Sequence, residues 1–217
     1  MAIFFTSDTH WHHANIIRYC NRPFSSVDEM DAELIRRHNA VVSDDDIVYN
    51  LGDIAWTDKP RKLAAILSQL NGTFRLMVGN HDRSIHKVTK QNSLLSGELF
   101  DGRKKVESIK IYDEIEIDGQ MIVLCHYPMG AWNRAYRGSW MLHGHCHGTY
   151  RLGLPNSHKH GKIMDVGADC FDFAPVSYER VREIMEGIDR VTHRYNDGFT
   201  DREGNLLVRD AHGELIA

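Results

Sequence analysis

Five times along this chain a short apolar run rich in β-formers stops abruptly at a cluster of Asp, Asn, His and Gly. Asp8-Thr9-His10 follows Ile3 to Thr6, Gly52-Asp53 follows Ile47 to Leu51, and Gly79-Asn80-His81-Asp82 follows Leu76 to Val78. His126 follows Ile122 to Cys125, and Gly144-His145-Cys146-His147 follows Trp140 to Leu142. Such runs read as buried strands, and open α/β sheets bind ligands beyond the carboxyl ends of their strands. A single Asp-x-His or Gly-Asp is a common turn; its repetition at successive strand ends is what points to a site. In an extended strand residues i and i+2 point the same way, so Asp8 and His10 are expected to face one centre, as are His145 and His147.

The stretches between these pieces set the fold class. Ser26 with Glu29 three places on is a capping box that opens a helix to about Val41. Lys59 to Leu70 reads as a second helix, with Leu63, Ile66, Leu67 and Leu70 on one face, which gives a β-α-β-α-β opening. From Val106 the pattern changes. Ile109, Ile111, Ile115 and Ile117 alternate with polar residues up to Asp118-Gly119, a hairpin signal, before Met121 to Leu124 turns apolar. Lys162 to Val166 predicts a further strand and Tyr178 to Ile188 a helix. The expectation is one α/β domain over residues 1–190 and a polar hairpin or tail over 191–217, where Asp201 to Leu206 is echoed by Asp210 to Leu215.

Composition narrows the chemistry. The chain has 14 histidines, many for 217 residues, and histidine is the commonest metal ligand. Oxygen and imidazole donors without thiolate suit Mn²⁺, Fe or Zn²⁺ better than Ca²⁺ or a closed structural zinc site. Cys146, alternating with two histidines, reads as a packing residue. A net charge of −4 argues against a dedicated nucleic-acid surface. The apolar run before Asp8 is too short for a signal peptide or a membrane span, and the four cysteines form no C-x-x-C pair. A cytoplasmic protein is expected.

The five pieces in this order resemble the calcineurin-like metallophosphoesterase superfamily, over about two-thirds of the chain. The similarity extends to a branch of small stand-alone bacterial and phage proteins through Thr6 to Ile17, Asn21-Arg22-Pro23-Phe24 and Arg137-Gly138-Ser139-Trp140. His12 departs from that branch, which commonly has a small residue there. The resemblance implies a four-layer α/β/β/α sandwich with two divalent metal ions at the strand ends, Mn²⁺ foremost and Fe, Zn²⁺ or Ni²⁺ as alternatives. Carried over by motif position, one metal is held by Asp8, His10, Asp53 and His147, and the other by Asp53, Asn80, His126 and His145. Asp53 bridges. His81 is implied as the catalytic histidine, with Asp82 orienting it or serving as a structural partner.

A water shared by two cations loses its proton readily, and the hydroxide can attack phosphorus in line. The expected activity is hydrolysis of phosphate esters, with small or nucleotide-like phosphodiesters ahead of phosphomonoesters. His13, Asn15 and Arg22 are candidate substrate contacts, Arg22 through its planar fork. Tyr127 to Ser139 is expected to form one wall of the site, with Trp132 and Arg134 offering a stacking face and a cation. Two competing classes remain at this point. A metal-dependent amidohydrolase also carries His-x-His, but near the start of a TIM barrel, whereas here the pair comes last. A non-catalytic scaffold on the same fold would be free to lose His81 or a ligand, and this chain keeps the whole set.

Overall fold

The computed structural model describes residues 1–85, 105–149 and 161–190. The echoed segment at 201–215, and the tail of which it is part, lie outside them. Two sheets stack face to face. In the first, β1 (Ile3–Thr6), β2 (Ile47–Asn50), β3 (Thr73–Met77) and β4 (Val106–Lys110) run parallel in the order β4-β3-β2-β1. In the second, β5 (Tyr112–Ile117) pairs antiparallel with β6 (Gln120–Cys125), which continues in parallel through β7 (Trp140–His143) to β8 (Ile163–Asp165). A two-residue β9 (Val176–Ser177) closes the first sheet antiparallel to β1.

The alternation along each strand divides the core. Phe5, Tyr49, Leu51 and Met77 point inward from the first sheet against Ile122, Leu124, Leu142 and Met164 of the second, so the layer between the sheets is apolar. The outward residues Phe4, Val48, Phe74 and Leu76 are covered by helices. These are α1 (Ala14–Tyr19), α2 (Val27–Val41) and α3 (Pro60–Leu67). Ser26 caps α2, its hydroxyl accepting from the Glu29 amide at 3.1 Å while the Glu29 carboxylate reaches back to Ser25. Leu63, Ile66 and Leu67 form the buried stripe of α3 as their spacing predicts. The helix α4 (Tyr178–Glu186) sends Tyr178, Val181 and Met185 into the inter-sheet core. The mixed α/β sandwich with helix-flanked sheets agrees with the expected fold.

Two local expectations are corrected. The alternating run from Ile109 to Ile117 is two strands in different sheets, and Ile111, at the crossing between them, is exposed. Its apolar side chain sits in phase with its neighbours only by coincidence of sequence. Of the segment after His126, Tyr127 stays at the site, its ring 5.0 Å from that of His126 and 4.9 Å from that of His145, but Trp132 and Arg134 do not. Trp132 is buried against Val123, Cys125, Met141 and Ile163 on the outer face of the second sheet, and its indole N–H donates to Ser139 at 3.1 Å. Among the described residues this segment, with its single short helical turn Ala135–Arg137, covers that face. Arg134 is exposed beside it and acts electrostatically on Glu114 of β5. The Asp118-Gly119 turn is as expected: both residues have positive φ, the backbone of a tight hairpin that matches strand twist.

Candidate metal centre

Because β1, β2 and β3 are parallel to one another, as are β6, β7 and β8, each polar cluster emerges at its strand's carboxyl end. The clusters meet on one rim. Asp8, His10 and His147 place ligand atoms within 4.8 Å of one another, and Asp53, His126 and His145 do the same. The two groups touch through Asp53. Its Oδ2 lies 3.7 Å from Nε2 of His10 and 3.5 Å from Nε2 of His126. Asp8 Oδ1 is 3.8 Å from His10 Nε2 and 3.9 Å from His147 Nε2. Asn80 Oδ1 sits 3.1 Å from His126 Nε2, beside the second group. The Asp8 and Asp53 separations exceed a normal hydrogen bond, yet they fit donors that share an ion.

The donors converge by a route that strand alternation does not supply. Asp8, His10, Asp53, His145 and His147 all have φ between 47° and 69°. They lie beyond the strands in left-handed backbone, which turns each side chain back over the rim. Close backbone approach completes the arrangement. A Cβ on Gly144 would fall 2.0 Å from Ser7 Oγ, and one on Gly79 would fall 2.2 Å from Asp53 Oδ1. Bare backbone at these places lets the His145 amide donate to Asp8 Oδ2 and the His81 amide to Asp53 Oδ1, each at 2.8 Å. His12, where the chain departs from the branch pattern, also has positive φ, 65°, and its ring and amide are tied to Asp31.

The far nitrogens of the histidines orient the near ones. His126 Nδ1 donates to the Leu51 carbonyl at 2.8 Å, and His147 Nδ1 is 2.7 Å from the Asp169 carboxylate. Each ring therefore turns an Nε2 lone pair to the rim, as metal-bound imidazoles generally do. His10 Nδ1 is 3.3 Å from Nδ1 of buried His13. Asp8 Oδ1 and His10 Nε2 are buried with no hydrogen-bond partner. Buried polar atoms are seldom left so, and both belong to the first group, which fits donors to a metal ion.

Charge tells the same story. Burial raises the Asp8 carboxyl to about 7, so its ionised form needs a cation beside it. Burial lowers His10 to about 2, which keeps it neutral and able to donate a lone pair. At Asp53 burial acts upward, but the adjacent His126 and the bond from the His81 amide outweigh it and hold the carboxyl down at about 2. At His147 burial opposes the cation, and the Asp169 hydrogen bond prevails to raise it to about 10, so an ion bound there has to displace the Nε2 proton. An all-oxygen-and-imidazole set with one shared carboxylate fits divalent transition ions.

Several expected contacts are placed elsewhere. Arg22 is not a free fork: its guanidinium is fully buried, chelates Asp169 through two bonds of 2.8 Å, and donates to the Asp8 and Thr9 carbonyls. It braces the first ligand loop. Asp82 does not orient the His81 ring. Its buried carboxylate accepts from the amides of Gly79, Asp53 and Ile54, all at 2.8 Å, and so ties the β2 and β3 loops together. His81 is half-buried, with Nε2 3.9 Å from Asp53 Oδ2, and belongs to neither ligand group. His13 is buried and stacks on Trp56 at 4.2 Å, behind His10. Asn15 is exposed on the first turn of α1. Asp169 was missed, although it follows strand β8 much as the other clusters follow theirs.

Oxygen and imidazole donors gathered at the strand ends of a double-sheet sandwich define a metal-dependent hydrolase. The model of the calcineurin-like phosphoesterase family matches residues 1–162. An uncharacterized protein of Methanocaldococcus jannaschii is 35% identical over 196 residues, spanning 90% of this chain and 97% of its own length. The gene 66 protein of Mycobacterium phage L5 is 28% identical over 200 residues, spanning 85% and 94%. A solved structure of a protein of unknown function from Aquifex aeolicus aligns with a TM-score of 0.62 at 25% identity, covering 84% of this chain and 98% of that one. The chain belongs to the calcineurin-like phosphoesterase family. It is a metal-dependent phosphoric ester hydrolase, and among the described residues no helix is long and apolar enough to cross a membrane.

Proposed function

We propose that this protein hydrolyses small, nucleotide-like phosphodiesters with two divalent cations, Mn²⁺ foremost. The observation that carries this reading is the placement of His81 over Asp53 Oδ2, the oxygen shared by both ligand groups, while it remains outside them. Asp8, His10, Asp53 and His147 would hold one cation, and Asp53, Asn80, His126 and His145 the other. Such a pair supplies Lewis acidity and eases deprotonation of a shared water.

The chain's own residues do the rest. Its ligand loops are fixed by Asp82 and Arg22, so the donor set is organised before substrate arrives. Water attacks phosphorus opposite the leaving oxygen; a P–O bond forms as the other breaks, and His81 gives its proton to the departing oxygen. An alkoxide leaves with difficulty unless protonated, which favours a diester reading for a site that keeps such a histidine in reach. The four free cysteines support a reducing, cytoplasmic location.

The test compares bis(p-nitrophenyl) phosphate with p-nitrophenyl phosphate under Mn²⁺, Mg²⁺, Zn²⁺ or chelator. The diester is expected to be cleaved faster, and Mn²⁺ to serve best. His81→Ala is expected to keep its metal and lose ~10²- to 10⁴-fold in turnover of a diester with an alkoxide leaving group, such as a dinucleotide, and less with p-nitrophenolate, which leaves without a proton, whereas Asp53→Ala loses metal. Faster monoester cleavage would end the diester reading. Equal metal loss in both variants would end the separation of proton donor from ligand.

A further inference from the structure

A second feature adjoins the centre on the His81 side. His81 also lines an open cleft of about 260 Å³ whose other walls include Trp56, Lys59, Lys62 and Arg83, with Asp58 the one acidic group among the described residues that line it. Trp56 is the partition. Its ring stacks on His13 at 4.2 Å and 12°, lies 5.0 Å from the His81 ring, and carries the Arg83 guanidinium 5.3 Å from its centroid. The indole is thus held between the buried histidines and the cationic cleft. Lys59 and Lys62 stand exposed at the start of α3.

We propose that this cleft is the leaving-group subsite, and that the preferred substrates carry a second anionic group, a phosphate or its equivalent, on the leaving side of the scissile bond. The proposal rests on the reading of His81 as proton donor. The group that protonates the leaving oxygen lies by necessity on the leaving side, and the cleft opens from that same imidazole. Whatever departs therefore passes His81 into the cleft. Three cations against one carboxylate favour a departing fragment with its own negative charge. A neutral alcohol would leave those cations unmatched. In the balanced step, water gives one proton to solvent as its oxygen bonds to phosphorus, the P–O bond to the anionic fragment breaks, the His81 proton ends on the fragment's new hydroxyl, and His81 regains a proton from solvent.

The decisive measurement is equilibrium binding by calorimetry to Mn²⁺-loaded protein, using methylenediphosphonate against methylphosphonate. The P–C–P probe is not hydrolysed and presents a second anion next to the first. Lys62→Ala, Lys59→Ala and Arg83→Ala are each expected to weaken methylenediphosphonate binding about five- to tenfold, the scale of one charge-assisted contact, and methylphosphonate less than twofold. Circular dichroism confirms that each variant is folded. Arg36→Ala, an exposed cation on α2, controls for net charge and leaves both unchanged. Equal effects on the two probes, no effect of any cleft variant, or no methylenediphosphonate binding by wild type would each overturn the subsite. If wild type cleaves neither p-nitrophenyl ester under any metal, the functional reading falls and takes the leaving-group assignment with it, whereas failure of the binding ratio alone overturns the subsite and leaves that reading intact.

Discussion

Asp82→Asn separates a brace from a catalytic partner. In the native protein Oδ2 accepts from Gly79 and Asp53 and Oδ1 from Ile54, three buried bonds of 2.8 Å to a carboxylate. An asparagine oxygen turned to the first pair keeps two acceptances without the charge. Its NH₂ then meets the Ile54 amide, donor against donor. One lost bond and two weakened ones amount to roughly 2–4 kcal/mol. For a domain of this size that lowers the melting midpoint by about 5–15 °C. Because Asp53 is anchored through this carboxylate, metal affinity falls as well, by about tenfold or more. Thermal unfolding with and without Mn²⁺, together with metal stoichiometry, reads both effects. A variant that melts within about 2 °C of wild type and keeps its metals but loses turnover would refute the brace and restore Asp82 as a partner of His81.

Asp169→Ala removes the acceptor that orients His147 and both bonds to Arg22, so metal affinity is expected to fall ~10- to 100-fold; an unchanged Mn²⁺ titration would count against it. His38 gives a pH dependence away from the rim. Burial lowers it to about 4, its Nε2 is 2.9 Å from the Asn71 carbonyl, and its ring stacks on Phe74. The unfolded chain takes up the proton first, near its ordinary 6.5, so stability is full above pH 6.5 and is lost on acidification towards 4, by roughly 2–3 kcal/mol. Urea midpoints from pH 7 to 4 should flatten in His38→Gln relative to wild type, and parallel curves would refute the assignment.

The rim was legible in the chain because buried strands leave apolar runs, and because the residues ending those runs are of ligand type. Asp8, His10, Asp53, Asn80, His126, His145 and His147 needed no long-range information to be nominated. How they converge was not legible. Period-two alternation predicts one shared face for Asp8 and His10, whereas their positive φ values turn them by a different geometry. Trp132 shows a second limit. A segment tethered at both ends near a site can still cover either face of the sheet, and the apolar outer face of β6 and β7 took the indole. Arg22 and Asp82 look like site chemistry in one dimension, and only the carbonyls and amides around them reveal braces. Asp169 carried a readable signal, an acidic residue after an apolar strand, but stands apart from the five motifs.

If these residues are the metal ligands, their left-handed backbone has a consequence for how such a protein can change. Asp8, His10, Asp53, His145 and His147 each hold a conformation that costs an L-residue about 1 kcal/mol or more, and together the burden is of the order of 5 kcal/mol. That is comparable with the entire net stability of many domains. Glycine would relieve the burden at any of the five positions and abolish a ligand in the same step. Selection for thermal tolerance under chelating conditions should therefore accumulate glycine or asparagine at these positions, while selection for turnover removes them. Fitness for persistence and fitness for chemistry pull in opposite directions at the same five residues.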